Sequence, residues 1–416
     1  MIRFLYTLLF YAALPLIWLR LYRKGRQQPE YFEHTDERRG LYTRTSDRPL
    51  IWIHAVSVGE TRAAEPLVKA LQAQYPDHQL LITGMTPTGR EAGQKVYGNS
   101  VLQAYLPYDT PGAVRRFLDH FQPRLGLLME TEIWPNLLAI CQQRKIPVVL
   151  ANARLSIDSA QGYQRAGRLA ARAFESLAGA AAQTELDAQR LRLLGVSPVL
   201  VCGNLKFDVP LPAEMQELGR QWRQAIGDRL VWLAASTREG EEELVLVAWN
   251  RVATPDALLL LVPRHPQRFD EVAGLLARQQ LPTQRRSSGL PTKETRVWLG
   301  DSMGEMVAYY TLSDLAFIGG SLLPLGGQNL IEAAACGCPI LVGPHTFNFE
   351  QATEDAIACG AARRVSDPAE LADGVNTLLA NKEDRQAMRQ AALTFAAAHA
   401  GAAARTMQLI RNLGSV

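Results

Sequence analysis

Short apolar runs alternate with helical patterns along most of this chain, and this alternation constrains its fold more than any other feature. Seven runs lie between residues 50 and 202: Leu50–Ala55, Gln79–Thr83, Val101–Leu106, Leu125–Met129, Val148–Ala151, Ala178–Gln183 and Val199–Cys202. Strands that alternate with helices in this way predict a parallel sheet covered by helices on both faces. In such a domain, ligands bind beyond the carboxyl ends of the strands.

A second alternation follows a proline-containing break at 207–212, which is typical of a linker. Its five apolar runs are Leu230–Ala235, Ala257–Val262, Arg296–Leu299, Leu315–Ile318 and Pro339–Val342. The pattern predicts an α/β protein with two doubly wound, Rossmann-like domains that face a cleft suited to two substrates. The predicted bounds are 27–206 for the first domain, 207–395 for the second and 396–416 for a C-terminal helix that either finishes the second domain or leans across the first.

Residues 1–26 have the pattern of a membrane anchor. No charged residue lies between Phe4 and Leu19, and a basic cluster follows at Arg20, Arg23, Lys24 and Arg26. A helix over this tract would be about 24 Å long, slightly less than the ~30 Å hydrocarbon core of a bilayer, so it could either span the bilayer or lie in its interface. The tract lacks a small-x-small cleavage site, and the basic cluster predicts that the rest of the chain stays in the cytoplasm. A buried helix of the globular part is the alternative.

Composition excludes several classes of protein. With 47% hydrophobic and 20% charged residues, the chain is neither disordered nor a polytopic transporter. A net charge of +3 over 416 residues gives no argument for a nucleic-acid partner. The five cysteines form no Cys-x-x-Cys pair, which is typical of a reduced, cytosolic protein. Since the histidines and acidic residues show no metal-ligand spacing, we expect no bound metal and no cofactor.

Acidic residues follow two of the strands predicted in the first domain. Ser57-Val-Gly-Glu60 lies where the first strand ends and a helix begins, so it is either a capping box or the place of a carboxylate that the helix dipole keeps ionised. Glu130 and Glu132 follow a later strand, where they either serve chemistry or simply begin the next helix. Because the two strand ends belong to one sheet, we expect a functional role for at least one of Glu60 and Glu130.

Basic and glycine-rich segments mark the hinge and the second domain. Lys206 at the hinge could reach a phosphate or could be a solvated surface residue. Arg264 follows a strand and is a candidate anion ligand. The glycine-rich segment 319–327 precedes a helix with Glu332, which could bind ribose hydroxyls or be a plain first-turn glutamate. This segment matches neither the dinucleotide nor the P-loop pattern, which disfavours a dehydrogenase or an NTPase.

Four arginines recur over one segment of the first domain that has few acids: Arg154, Arg165, Arg168 and Arg172. Such runs usually form a solvated face. Near a membrane anchor, they could instead contact lipid phosphates.

Nine motifs stand at these strand ends and loops: His54–Thr61, Met85–Gly89, Leu106–Asp109, Met129–Asn136, Ala151–Ser156, Leu205–Asp208, Val262–Pro266, Gly300–Glu305 and Gly343–Phe349. Together they closely resemble the Kdo transferases of Gram-negative bacteria. These enzymes move 3-deoxy-D-manno-octulosonic acid (Kdo) from its CMP donor to the lipid A precursor, lipid IVA, in lipopolysaccharide biosynthesis. The resemblance runs from the anchor to past residue 350.

The resemblance implies a metal-independent, inverting glycosyltransferase of the GT-B type at the cytoplasmic face of the inner membrane. It implies that Glu60 is the general base, and that Glu130 and Lys206 stabilise the transition state. It also implies that the first domain takes the lipid and the second binds CMP through nine residues: Pro263, Arg264, Met303, Gly304, Glu305, Asn329, Leu330, Ile331 and Glu332. Two alternatives stay open, an enzyme that uses a UDP-sugar and a membrane-tethered scaffold in which Glu60 only caps a helix.

Overall fold

The computed structural model describes residues 2–414. The chain divides into two compact units, of which the first comprises Met1–Val209 together with Ala400–Val416, and the second comprises Pro210–His399. The chain therefore leaves the first unit once, builds the whole second unit, and returns.

Seven parallel strands form the sheet of the first unit: β1 (Leu50–His54), β2 (Gln79–Gly84), β3 (Leu102–Tyr105), β4 (Pro123–Met129), β5 (Val148–Ala153), β6 (Gly179–Ala182) and β7 (Val199–Val201). Each corresponds to one of the seven apolar runs. Their order is β3-β2-β1-β4-β5-β6-β7. The strand order reverses between β1 and β4, and such a switch point is where open α/β sheets bind ligands.

The helices between Ile2 and Leu193 all belong to this unit: α1 (Ile2–Gln27), α2 (Val58–Ala63), α3 (Glu65–Gln74), α4 (Pro87–Tyr97), α5 (Pro111–Phe121), α6 (Pro135–Gln143), α7 (Ile157–Arg165), α8 (Arg168–Glu175) and α9 (Glu185–Leu193). Several begin at a Ser or Thr whose side chain accepts a hydrogen bond from a first-turn amide, namely Ser57, Thr86, Ser156 and Thr184. These caps place each helix start directly after the loop that follows a strand.

The second unit repeats the same arrangement with seven more parallel strands: β8 (Val231–Thr237), β9 (Leu258–Pro263), β10 (Thr283–Arg285), β11 (Val297–Leu299), β12 (Leu315–Ile318), β13 (Ile340–Val342) and β14 (Ala362–Arg364). Their order is β10-β11-β9-β8-β12-β13-β14, so the switch point lies between β8 and β12. The sequence did not predict the two edge strands, β10 and β14, because each has only three residues and carries polar side chains.

Eight helices cover this second sheet: α10 (Ala213–Ile226), α11 (Glu241–Trp249), α12 (Phe269–Arg278), α13 (Met306–Leu312), α14 (Ile331–Ala335), α15 (Glu350–Ala358), α16 (Pro368–Ala380) and α17 (Lys382–His399). The last helix, α18 (Ala402–Asn412), belongs to the first unit. Asp208 caps it by accepting hydrogen bonds from the amides of Gly401 (2.5 Å) and Ala403 (2.6 Å). The predicted α/β fold class with two doubly wound sheets is confirmed.

Alternate residues of β1 face opposite sides of the first sheet, as the period of a strand requires. Trp52 packs edge-to-face on Phe117 at 5.2 Å on one side. Ile53 and Leu67 lie in the core of the other side, where α18 contributes Ile410. Both faces of the sheet are therefore covered by apolar side chains, which leaves the strand ends as the places for polar groups.

Within residues 2–414, only α1 is long and apolar enough to cross a membrane. Tyr6 donates a hydrogen bond to Asp109 at 2.9 Å, and the ring of Trp18 meets Tyr108 at 5.5 Å, so the helix packs against the first unit at both of these points. The opposite face of α1 is open, with Phe4 74% and Leu16 68% exposed. Since most of the helix is not buried, the alternative of a core helix is wrong.

Candidate active site

Glu60 lies in the first turn of α2, directly after the carboxyl end of β1. One carboxylate oxygen accepts a hydrogen bond from the Val56 amide at 2.8 Å, and the other accepts one from the Ser57 hydroxyl at 2.9 Å. The Ser57 oxygen in turn accepts from the Glu60 amide at 3.2 Å. The predicted capping box is thus confirmed, with Val56 rather than Ser57 as the amide to which the Glu60 carboxylate returns.

The capping bonds do not keep the Glu60 carboxyl fully ionised. Burial raises its pKa to about 7, and the negative charges of Glu130 and Glu132 act in the same direction, while the bonds from Val56 and Ser57 oppose them. The expectation that the helix dipole holds this group ionised is therefore corrected, because desolvation outweighs the local donors. A carboxyl that titrates near neutral pH is well matched to general base catalysis.

Glu130 follows the end of β4, the strand next to β1 on the other side of the switch point. Its backbone has a φ of 56°, in the left-handed region that non-glycine residues rarely adopt. Its amide donates to the carbonyl oxygen of Ala151 at 2.9 Å, which fixes this turn to β5. Such a strained backbone is held in place by its surroundings and is frequent at functional sites. The structure thus brings Glu60 and Glu130 to one edge of one sheet.

The backbone around Lys206 is fixed by Asn152, a residue near the carboxyl end of β5. Asn152 has a φ of 54°, is 1% exposed, and its side chain accepts a hydrogen bond from the Leu205 amide at 2.9 Å. Asn204 accepts from the Lys206 amide at 3.0 Å. Lys206 is therefore held in a short helical turn at the same sheet's carboxyl edge, followed by Asp208, which caps α18.

A glycine-rich turn follows β12 in the second unit and is tied to the loop after β8. The buried Glu241 carboxylate accepts four backbone hydrogen bonds, from Arg238 (3.1 Å), Gly320 (2.5 Å), Ser321 (3.0 Å) and Leu322 (3.0 Å). A Cβ on Gly319 would lie 2.6 Å from the carbonyl oxygen of Ser236, so only glycine allows this approach. The two loops at this unit's switch point are thus joined through one side chain.

The predicted CMP ligands occupy the carboxyl ends of the strands of this second sheet. Pro263 ends β9, and the exposed Arg264 follows it with its amide bonded to Thr237 at 2.9 Å. Met303 and Gly304 are exposed in the loop before α13, where Gly304 has a φ of 87°. Glu305 accepts a hydrogen bond from Arg286 at 2.9 Å and one from the Ser302 hydroxyl.

The remaining predicted CMP ligands lie at the start of α14. Asn329 donates to the Glu332 carboxylate at 3.2 Å and accepts from the Ile331 amide at 3.1 Å. The side chains of Leu330 and Ile331 are 1% and 2% exposed. Both residues therefore expose almost no surface, in side chain or main chain. Within residues 2–414, no three His, Cys, Asp or Glu side chains gather closely enough to hold a metal ion.

Two family models match the chain, one in each unit. Residues 33–209 match the model of 3-deoxy-D-manno-octulosonic-acid transferase (kdotransferase), and residues 251–395 match that of glycosyl transferases group 1. A 3-deoxy-D-manno-octulosonic acid transferase of Bordetella pertussis is 46% identical, and the alignment covers 99% of each chain. This chain belongs to the Kdo transferase family. The resemblance found in the motifs is confirmed.

A second Kdo transferase, from Haemophilus influenzae, is 39% identical, with 98% of each chain covered. Among solved structures, a glycosyltransferase from Rickettsia africae has a TM-score of 0.61 at 13% identity, over 88% of this chain and 99% of that chain. This last likeness concerns the fold alone, and it agrees with a GT-B arrangement of two Rossmann-like sheets.

No role was predicted from the sequence for three residues that organise the transferase, although two of them, His54 and Asn152, lie within the family motifs. Glu241 belongs to a run of three glutamates that is indistinguishable from an ordinary acidic first turn. Asn152 is buried and acts through a contact 53 residues away in the chain. His54 is fully buried at the end of β1, where its Nδ1 donates to the Thr83 carbonyl oxygen at 3.0 Å. Burial lowers the pKa of His54 to about 4, so it is neutral in the folded protein.

Proposed function

We propose that this protein is a metal-independent, inverting transferase that moves Kdo from CMP-Kdo to a hydroxyl of lipid IVA, with Glu60 as general base. The observation that carries the proposal is the Glu60 carboxyl, which lies at the switch point of the first sheet with a pKa raised to about 7. Family membership supplies the transferred sugar.

In the proposed reaction, the acceptor hydroxyl oxygen attacks the anomeric carbon of Kdo. The bond from this carbon to the CMP phosphate oxygen breaks, and CMP leaves with the bonding electron pair. The hydroxyl proton passes to Glu60. Attack opposite to the leaving group inverts the configuration, and one carboxylate suffices because CMP is already a stable anion.

Glu130 and Lys206 support this step in different ways. The charge of Glu130 raises the pKa of Glu60, which strengthens Glu60 as a proton acceptor. Lys206 carries the charge opposite to that developing on the departing phosphate. The fixed backbone at both residues suits these roles, because transition-state stabilisation needs groups that are already in place.

The second unit would bind CMP. Arg264 offers a guanidinium for the phosphate, and Glu332 offers a carboxylate for ribose hydroxyls. Pro263, Glu305 and Asn329 would complete the pocket with Met303, Gly304, Leu330 and Ile331. Glu305 and Asn329 already form hydrogen bonds that fix their side chains.

The acceptor is a membrane lipid, and α1 provides a matching anchor. Its open apolar face and the basic residues at its C-terminal end, which include Lys24 and Arg26, suit attachment at the cytoplasmic face of the inner membrane.

The test is transfer by the purified protein from CMP-Kdo to lipid IVA in EDTA, followed by CMP release and the mass of the lipid product. The wild type should add Kdo, and Glu60→Gln should lose about 10²–10⁴ in rate while it stays folded. Glu243→Gln changes an exposed carboxylate of the second unit and serves as the control. Equal rates for Glu60→Gln and the wild type would mean that Glu60 is not the general base and only caps α2. Absence of transfer by all three, despite CMP binding, would favour another acceptor or a scaffold.

A further inference from the structure

A cavity of about 760 Å³ lies in the first unit, between α1, α5, α6 and α8. Much of its wall is apolar and includes Ile2, Phe4, Ile140, Leu169 and Ala173. This volume is within the range of pockets that hold organic ligands. The cavity begins beside Pro135, five residues after Glu130, and continues along α6 to Gln142. One end of it therefore adjoins the sheet edge that carries the candidate active site.

Four arginines surround this apolar wall: Arg3, Arg115, Arg168 and Arg172. Glu175 is the one acidic residue that shares the lining, and among the described residues none of the four arginines forms a salt bridge. Arg168 and Arg172 are four residues apart on α8 and so project from one face. Exposed guanidinium groups that form no salt bridge favour a phosphate, which they can bind through paired hydrogen bonds.

The apolar and basic parts of the cavity meet at the membrane-facing helix. Phe4 of α1 lines the cavity and continues into the exposed apolar face formed by Leu5, Leu8 and Leu9. Thr7 donates a hydrogen bond at 3.0 Å to Asn136, which also lines the cavity, so α1 is joined to its wall by a specific contact. A lipid that enters from the bilayer would therefore contact the apolar side chains of α1 first. Its polar group would then lie beside the cluster of arginines.

We propose that this cavity binds the phosphorylated, acylated lipid acceptor, with an acyl chain along the apolar wall and a phosphate on Arg168 and Arg172. The inference rests on the proposed function, to which it adds where and through which groups the lipid is held. It also assigns α1 a second role, since its first two turns form part of the binding wall.

The test compares Arg168→Gln/Arg172→Gln with Arg165→Gln, which removes a charge of the same arginine-rich segment outside the cavity lining. Steady-state kinetics use lipid IVA in neutral detergent micelles. We expect the double variant to raise the KM for lipid IVA about tenfold or more, since it loses two guanidinium groups that donate charged hydrogen bonds to the phosphate. In the double variant, the KM for CMP-Kdo should stay within about twofold of the wild type. In Arg165→Gln, the KM for lipid IVA and the KM for CMP-Kdo should both stay within about twofold of the wild type.

Two further measurements separate the sources of failure. Binding of lipid IVA without CMP-Kdo tests the cavity even if transfer fails, so an error in the proposed reaction is distinguishable from an error here. Binding to phosphatidylcholine vesicles with and without phosphatidylglycerol tests general attraction to anionic lipid. Unchanged lipid IVA binding and KM in the double variant would overturn the proposal. Loss of phosphatidylglycerol binding with an unchanged KM for lipid IVA would overturn it as well. In that case, the arginines would serve only to attach the protein to anionic membranes.

Discussion

The carboxyl group of Glu60 balances two opposed influences. Its hydrogen bonds from Val56 and Ser57 favour the charged form, whereas burial and the charge of Glu130 favour the neutral form. The sequence was sufficient to predict the first influence, because a capping box is local. It was not sufficient for the second, because Glu130 comes close only when β4 pairs with β1, 70 residues later in the chain. Motifs therefore located this group, but its protonation depends on tertiary structure.

The pH dependence of transfer follows from that protonation. Glu60 accepts a proton only when ionised, and its pKa is raised to about 7, so kcat/KM should rise with pH and level off above neutrality. Below that pKa the rate should fall about tenfold per pH unit. Initial rates measured from about pH 5.5 to about pH 8.5 would show this limb. A flat profile across that range would mean that no group with the properties of Glu60 limits the reaction.

Ser57→Ala separates the cap from the base. Because the Ser57 hydroxyl donates to the Glu60 carboxylate and lowers its pKa, its removal should move the rising limb to higher pH while the plateau rate changes little. Loss of the cap should also lower the free energy of unfolding by about 1 kcal/mol. Ser156→Ala removes an equivalent cap from α7 and is the matched control. If both variants move the limb equally, the shift does not arise from the bond to Glu60.

Secondary-structure elements were predicted where an apolar run defines them and missed where it does not. β12 was predicted with its observed ends, Leu315 and Ile318, because the strand is buried on both faces. β10 and β14 pair on one side only and need no apolar pattern, so nothing in their three residues distinguishes them from loops. Strand order could not be predicted from composition at all, since it depends on long-range pairing.

Glu241 connects two such elements, and its substitution should act on the glycine-rich turn rather than on the whole sheet. In Glu241→Gln, one oxygen becomes an amide group that faces the amides it formerly accepted. Two of the four hydrogen bonds are then lost, at about 1–3 kcal/mol each. We expect CMP affinity, measured by calorimetry, to fall about tenfold or more. Glu243→Gln, on an exposed face of α11, should bind CMP like the wild type. A Glu241→Gln protein that melts earlier but binds CMP normally would show that this turn does not hold the nucleotide.

The first unit is not continuous in sequence, because the last helix, α18, belongs to it although the whole second unit comes before that helix in the chain. The sequence predicted a linker at 207–212 and a final helix, yet left open which domain that helix completes. An amphipathic pattern predicts that one face of a helix is buried, but it does not predict against which domain that face packs. The return is explained by Asp208, which lies at the end of the first unit and caps α18, and by Met407 and Ile410, which fill the core under β1 and β5.

Ile410→Ala should therefore destabilise the first unit although the residue is six positions from the end of the chain. Ile410 is 1% exposed, and truncation of such a side chain costs about 2–5 kcal/mol. Hydrogen exchange followed by mass spectrometry would show reduced protection in β1 to β6, with protection in β8 to β13 unchanged. Leu378→Ala in the core of the second unit should give the reverse pattern. If either variant lowers protection in both sheets to the same extent, the two units unfold together, and α18 acts on the entire molecule rather than on the unit it completes.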